Sequence, residues 1–281
     1  MAEHRKFRAA CVQMRSGIDR SQNTDDALRL IAEAAKGGAN FVTTPEMTNV
    51  VDRNPRRMFE NLGDEEALQE ISAFAGAAKE HNIWLLVGSM AVRASDDRAA
   101  NRGFLFGPDG QVVARYDKLH MFDVDLPNGE SWKESAVYQP GKCPVLVETE
   151  LAKIGLTICY DVRFPKLYRT LAQAGAEVLC VPAAFTKQTG EAHWKTLLTA
   201  RAIENGAFVI APAQGGKHED GRETYGHSLI IDPWGRVLAE AQNDEPGVIF
   251  SEIDLALAYD ARQRIPNLTL EQSFEVSIVK P

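Results

Sequence analysis

Cysteine is scarce in this chain, and its few cysteines form no recognisable pair. The 281 residues include four, none of them in a C-x-x-C arrangement: Cys11, Cys143, Cys159 and Cys180. A chain of this size can bury enough apolar surface to fold without disulfide bonds, so we expect reduced thiols. Three of the four lie in apolar, strand-like runs, where a reduced cysteine usually serves as a small core residue.

The chain also lacks an excess of basic residues, long apolar runs and clustered histidines. The formal net charge of −8 leaves no basic surface for nucleic acid or for an anionic membrane. No apolar run approaches the roughly 20 residues that cross a bilayer, and the charged N-terminal segment contains no apolar signal region. The six histidines are scattered, and no H-E-x-x-H motif occurs. We therefore expect a cytoplasmic protein that uses neither a metal ion nor a cofactor.

Hydrophobic periodicity predicts the same series of elements in both halves of the chain. Each half alternates strands with amphipathic helices and adds a hairpin, which turns at Pro-Asp-Gly in the first half and at Pro-Trp-Gly in the second. Helices are expected at 21–36, 64–81, 165–174 and 191–205, and a short irregular tail after residue 253. No linker or low-complexity run interrupts the pattern. It predicts two stacked sheets flanked by helices, in a single α/β domain.

Three strand-like runs end in chemically reactive side chains. Functional groups of open α/β sheets gather beyond the carboxyl ends of the strands. Glu46 follows one such run, Lys118 follows the first hairpin, and Cys159 follows the run "GLTI". Taken singly, each has a commoner explanation, because most glutamates and lysines are solvated and most cysteines in apolar runs are core residues.

Together the three side chains form a coherent chemical set. A neutral thiol is a poor nucleophile until a base removes its proton. A glutamate in a dry pocket can have a raised pKa and act as that base. An ammonium group near the thiol favours the thiolate and can stabilise an oxyanion, and a helix starting just after Cys159 would add the positive end of its dipole.

Three motifs extend this set to a family resemblance. The strings "TTPEM", "RYDKLHMFDVD" and "GLTICYDVRFP", in this order and spacing, resemble the nitrilase superfamily of carbon–nitrogen hydrolases. The resemblance spans nearly the whole chain, and implies one domain over 1–281 with a core from about 7 to 254. It implies an α-β-β-α sandwich that associates as a homodimer or a higher homo-oligomer.

The resemblance also implies roles for individual residues. Glu46 would be the general base, Lys118 the oxyanion stabiliser and Cys159 the nucleophile, on a sharp turn that brings the Tyr160 amide near the sulfur. A second glutamate used by many members matches Glu134, in "WKESAVYQPG"; Glu130 lies nearby but lacks this context, and a simple loop carboxylate is the alternative for Glu134.

Within the superfamily, one branch matches best. The stretch 183–205, with its T-G-x-A-H-W core, resembles both the omega-amidase and the deaminated glutathione amidase branches. The A-Q-x-G-x-H pattern that follows, which supplies Gln214 and His218, is similar to the second branch. This resemblance implies a thiol-dependent amidase that cleaves a small acidic amide, deaminated glutathione, into 2-oxoglutarate and Cys-Gly.

The substrate contacts are less constrained by the sequence. Arg163 could hold a substrate carboxylate, or form a structural ion pair with Asp161 or a glutamate. His193 and Trp194 could line the pocket, although a core histidine with a satisfied hydrogen bond is an equal alternative. No substrate contact can be assigned to the segment 48–63. Other functions stay open: an omega-amidase acting on 2-oxoglutaramate, an N-carbamoyl amidohydrolase, an aliphatic amidase, or a catalytically silent binding protein.

Overall fold

The computed structural model describes residues 5–127 and 129–280. Its strands are β1 Lys6–Gln13, β2 Phe41–Thr43, β3 Trp84–Arg93, β4 Ala99–Phe106, β5 Val112–Asp117, β6 Asp123–Asp125, β7 Ser131–Lys133, β8 Val145–Glu148, β9 Lys153–Leu156, β10 Val178–Cys180, β11 Phe208–Ala211, β12 Gly215–Lys217, β13 Glu223–Tyr225, β14 Leu229–Ile231, β15 Val237–Glu240 and β16 Gly247–Asp254. Its α-helices are α1 Arg20–Lys36, α2 Pro55–Glu60, α3 Gln69–His81, α4 Pro165–Gln173, α5 Lys187–Asn205 and α6 Ala256–Arg264.

The longer strands form two six-stranded sheets. Their orders are β16-β1-β2-β3-β4-β5 and β15-β14-β11-β10-β9-β8. In each sheet three neighbouring central strands run parallel, β1-β2-β3 in one and β9-β10-β11 in the other. Both predicted hairpins are present, as β4–β5 and β14–β15. The strands β6–β7 and β12–β13 form two small separate hairpins.

Strand β1 illustrates how the layers are built. Phe7, Ala9 and Cys11 face one way and join a core that includes residues of the second sheet. Ala10 and Val12 face the other way and join a core formed with helices α1 and α3. Successive strand residues point to opposite faces, so an apolar run with no polar alternation is buried on both sides. The predicted α-β-β-α sandwich is thereby confirmed.

The helix boundaries differ from the predicted ones in the first half. Helix α1 starts one residue earlier, at Arg20, because the Asp19 carboxylate accepts the amides of Ser21 and Gln22 and caps it. The predicted helix 64–81 is interrupted at Leu68, whose backbone is extended, so a 3₁₀ turn at Glu65–Ala67 precedes α3.

Two boundaries also differ in the second half. Helix α5 starts at Lys187, four residues before the predicted start, so that His193 and Trp194 lie in its second turn. The tail predicted to be irregular contains helix α6, where Ala258 and Ala261 are buried. The packed core thus continues past residue 254, while the limits 1–281 of the domain stay a prediction and include residues outside the described ones.

The three predicted reactive residues meet at one end of the sandwich. Glu46 follows β2, Lys118 follows β5, and Cys159 follows β9. The backbone is crowded here, because Gly88 of β3 lies against the segment that carries Glu46 and against Pro182, which follows β10. A Cβ atom on Gly88 would lie 2.1 Å from the Thr44 oxygen and 2.4 Å from Pro182 Cβ. The Pro182 carbonyl in turn accepts the Cys159 amide at 2.8 Å.

We expect Gly88→Ala to destabilise the protein by at least about 1–3 kcal/mol, because backbone atoms cannot make room for the methyl group. Gly76→Ala is the matched control: Gly76 lies within α3, and a Cβ atom added to it would meet no neighbouring group within 4 Å. Alanine should therefore be neutral there or add about 0.5–1 kcal/mol. Urea unfolding measures both changes. Equal unfolding midpoints for the two variants would contradict this account of the crowding.

Candidate active site

A buried lysine is the centre of the site. Lys118 is 2% exposed, and its Nζ lies 2.8 Å from Glu46 Oε1 and 2.8 Å from Glu134 Oε2. Asn101, on β4, donates its amide to both carboxylates, at 2.9 Å to Glu46 and 3.1 Å to Glu134. One ammonium group and one amide therefore hold two carboxylates that would otherwise repel each other.

The charges of this cluster support one another. Burial alone would lower the pKa of Lys118, but the Glu134 and Glu46 carboxylates raise it well above its usual value. Lys118 is therefore an ammonium group throughout the physiological pH range. Burial is the largest single influence and would raise the pKa of Glu46, but the charge and hydrogen bond of Lys118, with smaller effects of Cys159 and Arg222, together lower it. The expectation of a raised glutamate pKa is wrong. It took account of burial but not of the opposite effect of the Lys118 cation.

Glu46 is fixed at both carboxylate oxygens. Its Oε2 accepts the Ala184 amide at 2.9 Å, and it lines the same cavity as Cys159, whose thiol helps to lower the pKa of the carboxylate. The backbone after it is held by Gln214, whose amide donates to the Glu46 carbonyl at 3.1 Å and to the Met47 carbonyl at 3.2 Å. The carboxylate is therefore positioned to accept the proton of the thiol.

Cys159 occupies a sharp turn between β9 and a 3₁₀ helix, Cys159–Arg163. Its φ of 47° is in the left-handed region, which non-glycine residues rarely adopt and which is typical of strained functional turns. Its side chain is buried, and burial raises the pKa of the thiol well above its usual value. The Glu46 charge raises it further, and Lys118 only partly offsets these effects.

Lys118 acts in the predicted direction, because its charge lowers the pKa of the thiol, but burial and the Glu46 charge outweigh this effect. The arrangement combines a thiol of raised pKa with a carboxylate of lowered pKa at the same cavity, so a thiolate is not favoured before a substrate binds. Tyr160, next to the thiol, also lines the adjacent cavity. Its proposed amide contribution to an oxyanion site stays a prediction.

A buried aspartate joins two of these segments. Asp161 is fully buried, and its carboxylate accepts the Ile158 amide at 2.9 Å and the Tyr116 hydroxyl at 2.7 Å. It also accepts the backbone amide of His120 at 3.1 Å. These contacts connect the turn at Cys159 to β5 and to the loop after Lys118. Sequence reasoning considered Asp161 only as a partner of Arg163, although its place in "CYDVRFP" was a usable signal.

The structure distinguishes between the two candidate glutamates of the β6–β7 hairpin. Glu134 begins the 3₁₀ turn Glu134–Ala136, and the Phe122 amide donates to its Oε2 at 2.6 Å, in addition to the Lys118 contact. Glu130 instead contacts Arg53 at 3.1 Å and the Trp132 indole nitrogen at 2.9 Å. Glu134 is thus the glutamate that lies beside Lys118, and its catalytic role stays a prediction.

A cavity of about 580 Å³ opens onto the thiol. Its wall includes Glu46, Lys118, Glu134, Cys159 and Tyr160, and it has an apolar part formed by Met47, Val50, Val51, Met58, Phe122, Trp132, Tyr138 and Phe185. Besides Lys118, three cationic residues line it, Arg53, Lys133 and Arg222. Sequence reasoning identified neither arginine, because Arg53 lies in the unassigned segment 48–63 and Arg222 in a hairpin with no motif of its own.

Three of the predicted substrate contacts lie behind the cavity wall. The Trp194 indole donates to the His227 carbonyl at 2.9 Å. Gln214 is fully buried and supports the backbone after Glu46. His218 bonds to the Ser16 carbonyl at 2.8 Å and to the Thr224 hydroxyl at 2.7 Å. Each side chain is saturated by protein partners, so this arrangement offers no direct route to a substrate.

Arg163 and His193 also lie outside the residues that line the cavity. The Arg163 guanidinium is 3.2 Å from His193 Nδ1 and packs over the rings of Tyr160, at 5.9 Å, and Phe185, at 5.4 Å. The alternative ion pair with Asp161 does not form, since Asp161 bonds to the groups named above. Arg163 therefore packs behind two aromatic residues of the cavity wall, Tyr160 and Phe185, and neither it nor His193 is part of that wall.

Among residues 5–127 and 129–280, no cluster of histidine, cysteine or carboxylate groups has an arrangement that could hold a metal ion. In the same residues, no helix has the length and apolar character needed to cross a membrane.

The burial of His218 predicts a pH-dependent stability. Burial lowers the pKa of His218 from 6.5 to about 4, so the folded protein keeps it neutral while the unfolded chain protonates it below about pH 6.5. The unfolded state therefore binds more protons between these values, and stability falls as the pH drops through this range. The contribution lost between pH 7 and pH 4 is expected to be up to about 3 kcal/mol.

Urea unfolding of the wild type and of His218→Gln, at several pH values, measures this effect. The variant is expected to be less stable at pH 7 because it loses a buried imidazole, and to have a shallower dependence of the unfolding free energy on pH between about 6.5 and 4. Parallel pH dependences for the two proteins would contradict the assignment of this loss to His218.

Comparison with known proteins adds independent information on the family. Residues 8–263 match the model of the carbon–nitrogen hydrolase family. The deaminated glutathione amidase of Synechocystis sp. is 42% identical over 275 residues, which cover 93% of this chain and 97% of that protein.

Solved structures agree with this match. The C. elegans NitFhit protein has a TM-score of 0.89 and 34% identity, over 96% of this chain and 66% of that one. A variant amidase from Nesterenkonia sp. AN1, whose active-site cysteine has undergone Michael addition of acrylamide, has a TM-score of 0.77 and 25% identity, over 94% of this chain and 100% of that one. The family match over most of the chain, the Synechocystis relative and the shared sandwich lead to one conclusion: this protein belongs to the carbon–nitrogen hydrolase family.

Proposed function

We propose that the protein is a thiol-dependent amidase that hydrolyses deaminated glutathione to 2-oxoglutarate and Cys-Gly. The observation that carries the proposal is the buried cluster in which Lys118 contacts Glu46 and Glu134, in the wall of the same cavity as Cys159. The substrate is supported by the Synechocystis relative of that name and by the two arginines of the cavity. A substrate with two carboxylates suits such a cavity in a chain with a net charge of −8.

In the first chemical step, the Cys159 sulfur attacks the amide carbonyl carbon. A carbon–sulfur bond forms, the carbonyl π electrons move to the oxygen, and the thiol proton passes to Glu46. The negative oxygen then lies in a dry site, where the Lys118 ammonium and the Tyr160 amide are placed to stabilise it. Transfer of the proton to Glu46 during the attack explains how a thiol with a raised pKa can react.

In the second step the tetrahedral intermediate collapses. The carbon–nitrogen bond breaks, Glu46 returns its proton to the leaving nitrogen, and Cys-Gly departs from a thioester on Cys159. Water then attacks the thioester, Glu46 takes one of its protons, and the thiol is regenerated with release of 2-oxoglutarate. Glu134 keeps Lys118 in position through both steps, because it supplies the second carboxylate of the cluster.

We further propose that the protein is cytoplasmic and acts as a homodimer or a higher homo-oligomer. The free thiols of Cys11, Cys143, Cys159 and Cys180 suit a reducing compartment. Large apolar side chains are exposed in three elements: Ile203 on α5, Trp234 in the turn between β14 and β15, and Tyr259 on α6. Exposed apolar patches are typical of protein interfaces. Sedimentation equilibrium tests the assembly, and a 31.0 kDa species at micromolar concentration would contradict it.

Replacement of the nucleophile and of the base tests the proposed function. Cys159→Ala removes the sulfur, and Glu46→Gln keeps the shape of the side chain but cannot take a proton. Each variant is expected to lose at least roughly three orders of magnitude in kcat/KM for deaminated glutathione. The release of 2-oxoglutarate measures turnover. Cys143→Ala is the matched control, because Cys143 is exposed and should be dispensable.

Two results would overturn the proposal. The first is a wild-type enzyme that does not hydrolyse deaminated glutathione. The second is a Cys159→Ala variant, folded by circular dichroism, that keeps more than about a tenth of the wild-type kcat/KM.

A further inference from the structure

We propose that Arg222 and Arg53 are two separate carboxylate-binding residues, one for each end of the substrate. Arg222 would bind the carboxylate of the 2-oxoglutaryl part, next to the reacting carbonyl. Arg53 would bind the carboxylate of the leaving dipeptide, at the outer part of the cavity. This inference rests on the proposed function. It names specificity residues that belong neither to the motifs nor to the set of Glu46, Lys118 and Cys159.

Arg222 lies close to the base. It is part of the turn between β12 and β13, and its Nη2 donates to the Ala184 carbonyl at 2.5 Å. The amide of the same residue, Ala184, donates to Glu46. The Arg222 guanidinium and the Glu46 carboxylate are thus both bonded to the backbone of Ala184. The Arg222 charge is among those that lower the pKa of Glu46.

Part of Arg222 has no protein partner. Its Nε is buried, and no acceptor for it is found in the described parts of the chain. No carboxylate forms an ion pair with Arg222 within those same residues. A buried donor without an acceptor costs free energy, so a binding group from a ligand is the natural partner. A guanidinium offers two parallel donors to a carboxylate, which is the group an acidic substrate brings.

Arg53 lies farther out. It belongs to the loop before α2, and its side chain is 43% exposed. Glu130 holds it at 3.1 Å and also accepts the Trp132 indole at 2.9 Å. The Arg53 guanidinium stacks over Trp132 at 4.9 Å from the ring centre, and the Arg222 guanidinium stacks over the same ring at 4.6 Å. One tryptophan thus orients both cations along the cavity wall.

The dimensions of the substrate match this order. The carboxylate of the 2-oxoglutaryl group is about 5 Å from the scissile carbonyl carbon, and the glycine carboxylate, two residues along the leaving group, lies up to about 7 Å on its other side. The inner arginine therefore suits the acyl carboxylate. The partly exposed arginine suits the dipeptide, which must leave through the opening.

The alternative is a purely structural role for both arginines. Comparing two substrates distinguishes a binding role from a structural one. We compare deaminated glutathione with 2-oxoglutaramate, which has the same acyl group but releases ammonia. Arg53→Ala is expected to lower kcat/KM about 10- to 100-fold for deaminated glutathione and to leave that for 2-oxoglutaramate unchanged. Arg222→Ala is expected to lower both by about 100-fold or more, with partial recovery in Arg222→Lys.

A modified substrate provides the sharpest control. Deaminated glutathione with a C-terminal amide lacks the glycine carboxylate, so wild type should hydrolyse it poorly and Arg53→Ala should hydrolyse it equally poorly. Arg56→Ala is the matched variant, since Arg56 is exposed on α2 and does not line the cavity; it should behave as wild type. Thermal unfolding checks that each variant is folded.

The outcomes separate this inference from the proposed function. If wild type hydrolyses deaminated glutathione but Arg53→Ala affects both substrates equally, or neither, the assignment of Arg53 is wrong while the amidase stands. If folded Arg222→Ala and Arg222→Lys retain wild-type kcat/KM, the assignment of Arg222 is wrong. If wild type hydrolyses neither substrate, the proposed function itself fails.

Discussion

The ion cluster at Lys118 is the interaction on which the rest of the site depends. An ammonium group buried with two carboxylates is favourable only when each charge has close partners, because desolvation costs several kcal/mol per ion. Lys118, Glu46 and Glu134 come from three different loops, and Asn101 adds two donors to the carboxylates. The cluster therefore joins the two glutamate loops to the β4–β5 hairpin, and at the same time creates the charged wall of the cavity.

Burial serves the chemistry as well as the architecture. In a dry site, a fixed cation stabilises a developing oxyanion far more than it would in water. The same dryness raises the pKa of the Cys159 thiol, which keeps it neutral until a substrate arrives. The strained turn at Cys159 and the buried Asp161 keep the sulfur next to Glu46, so only a short proton transfer is needed.

Sequence could predict much of this arrangement, for identifiable physical reasons. Strands of parallel sheets place their carboxyl ends at one edge, which brought Glu46, Lys118 and Cys159 together, and the motif context singled out Glu134 over Glu130. The alternation of strands with amphipathic helices in both halves of the chain predicted two stacked sheets flanked by helices.

Other features depend on contacts that a sequence does not contain. The directions of the Glu46 and Cys159 pKa shifts result from a balance between burial and neighbouring charges, which requires distances. Gln214 and His218 lie in a motif, but their hydrogen bonds to backbone groups make them supports of the loops. Arg53 and Arg222 line the cavity and stack over Trp132, contacts between distant parts of the chain for which neither arginine has a periodic or motif signal.

The most direct test of the central claim is the mass of the enzyme caught during turnover. Wild-type protein is mixed with deaminated glutathione, quenched with acid at successive times, digested and analysed by mass spectrometry. The account predicts that the peptide containing Cys159 gains the mass of one 2-oxoglutaryl group, and that the peptides with Cys11, Cys143 and Cys180 do not. An adduct on another cysteine, or full turnover with an unmodified Cys159 peptide at every time point, would contradict it.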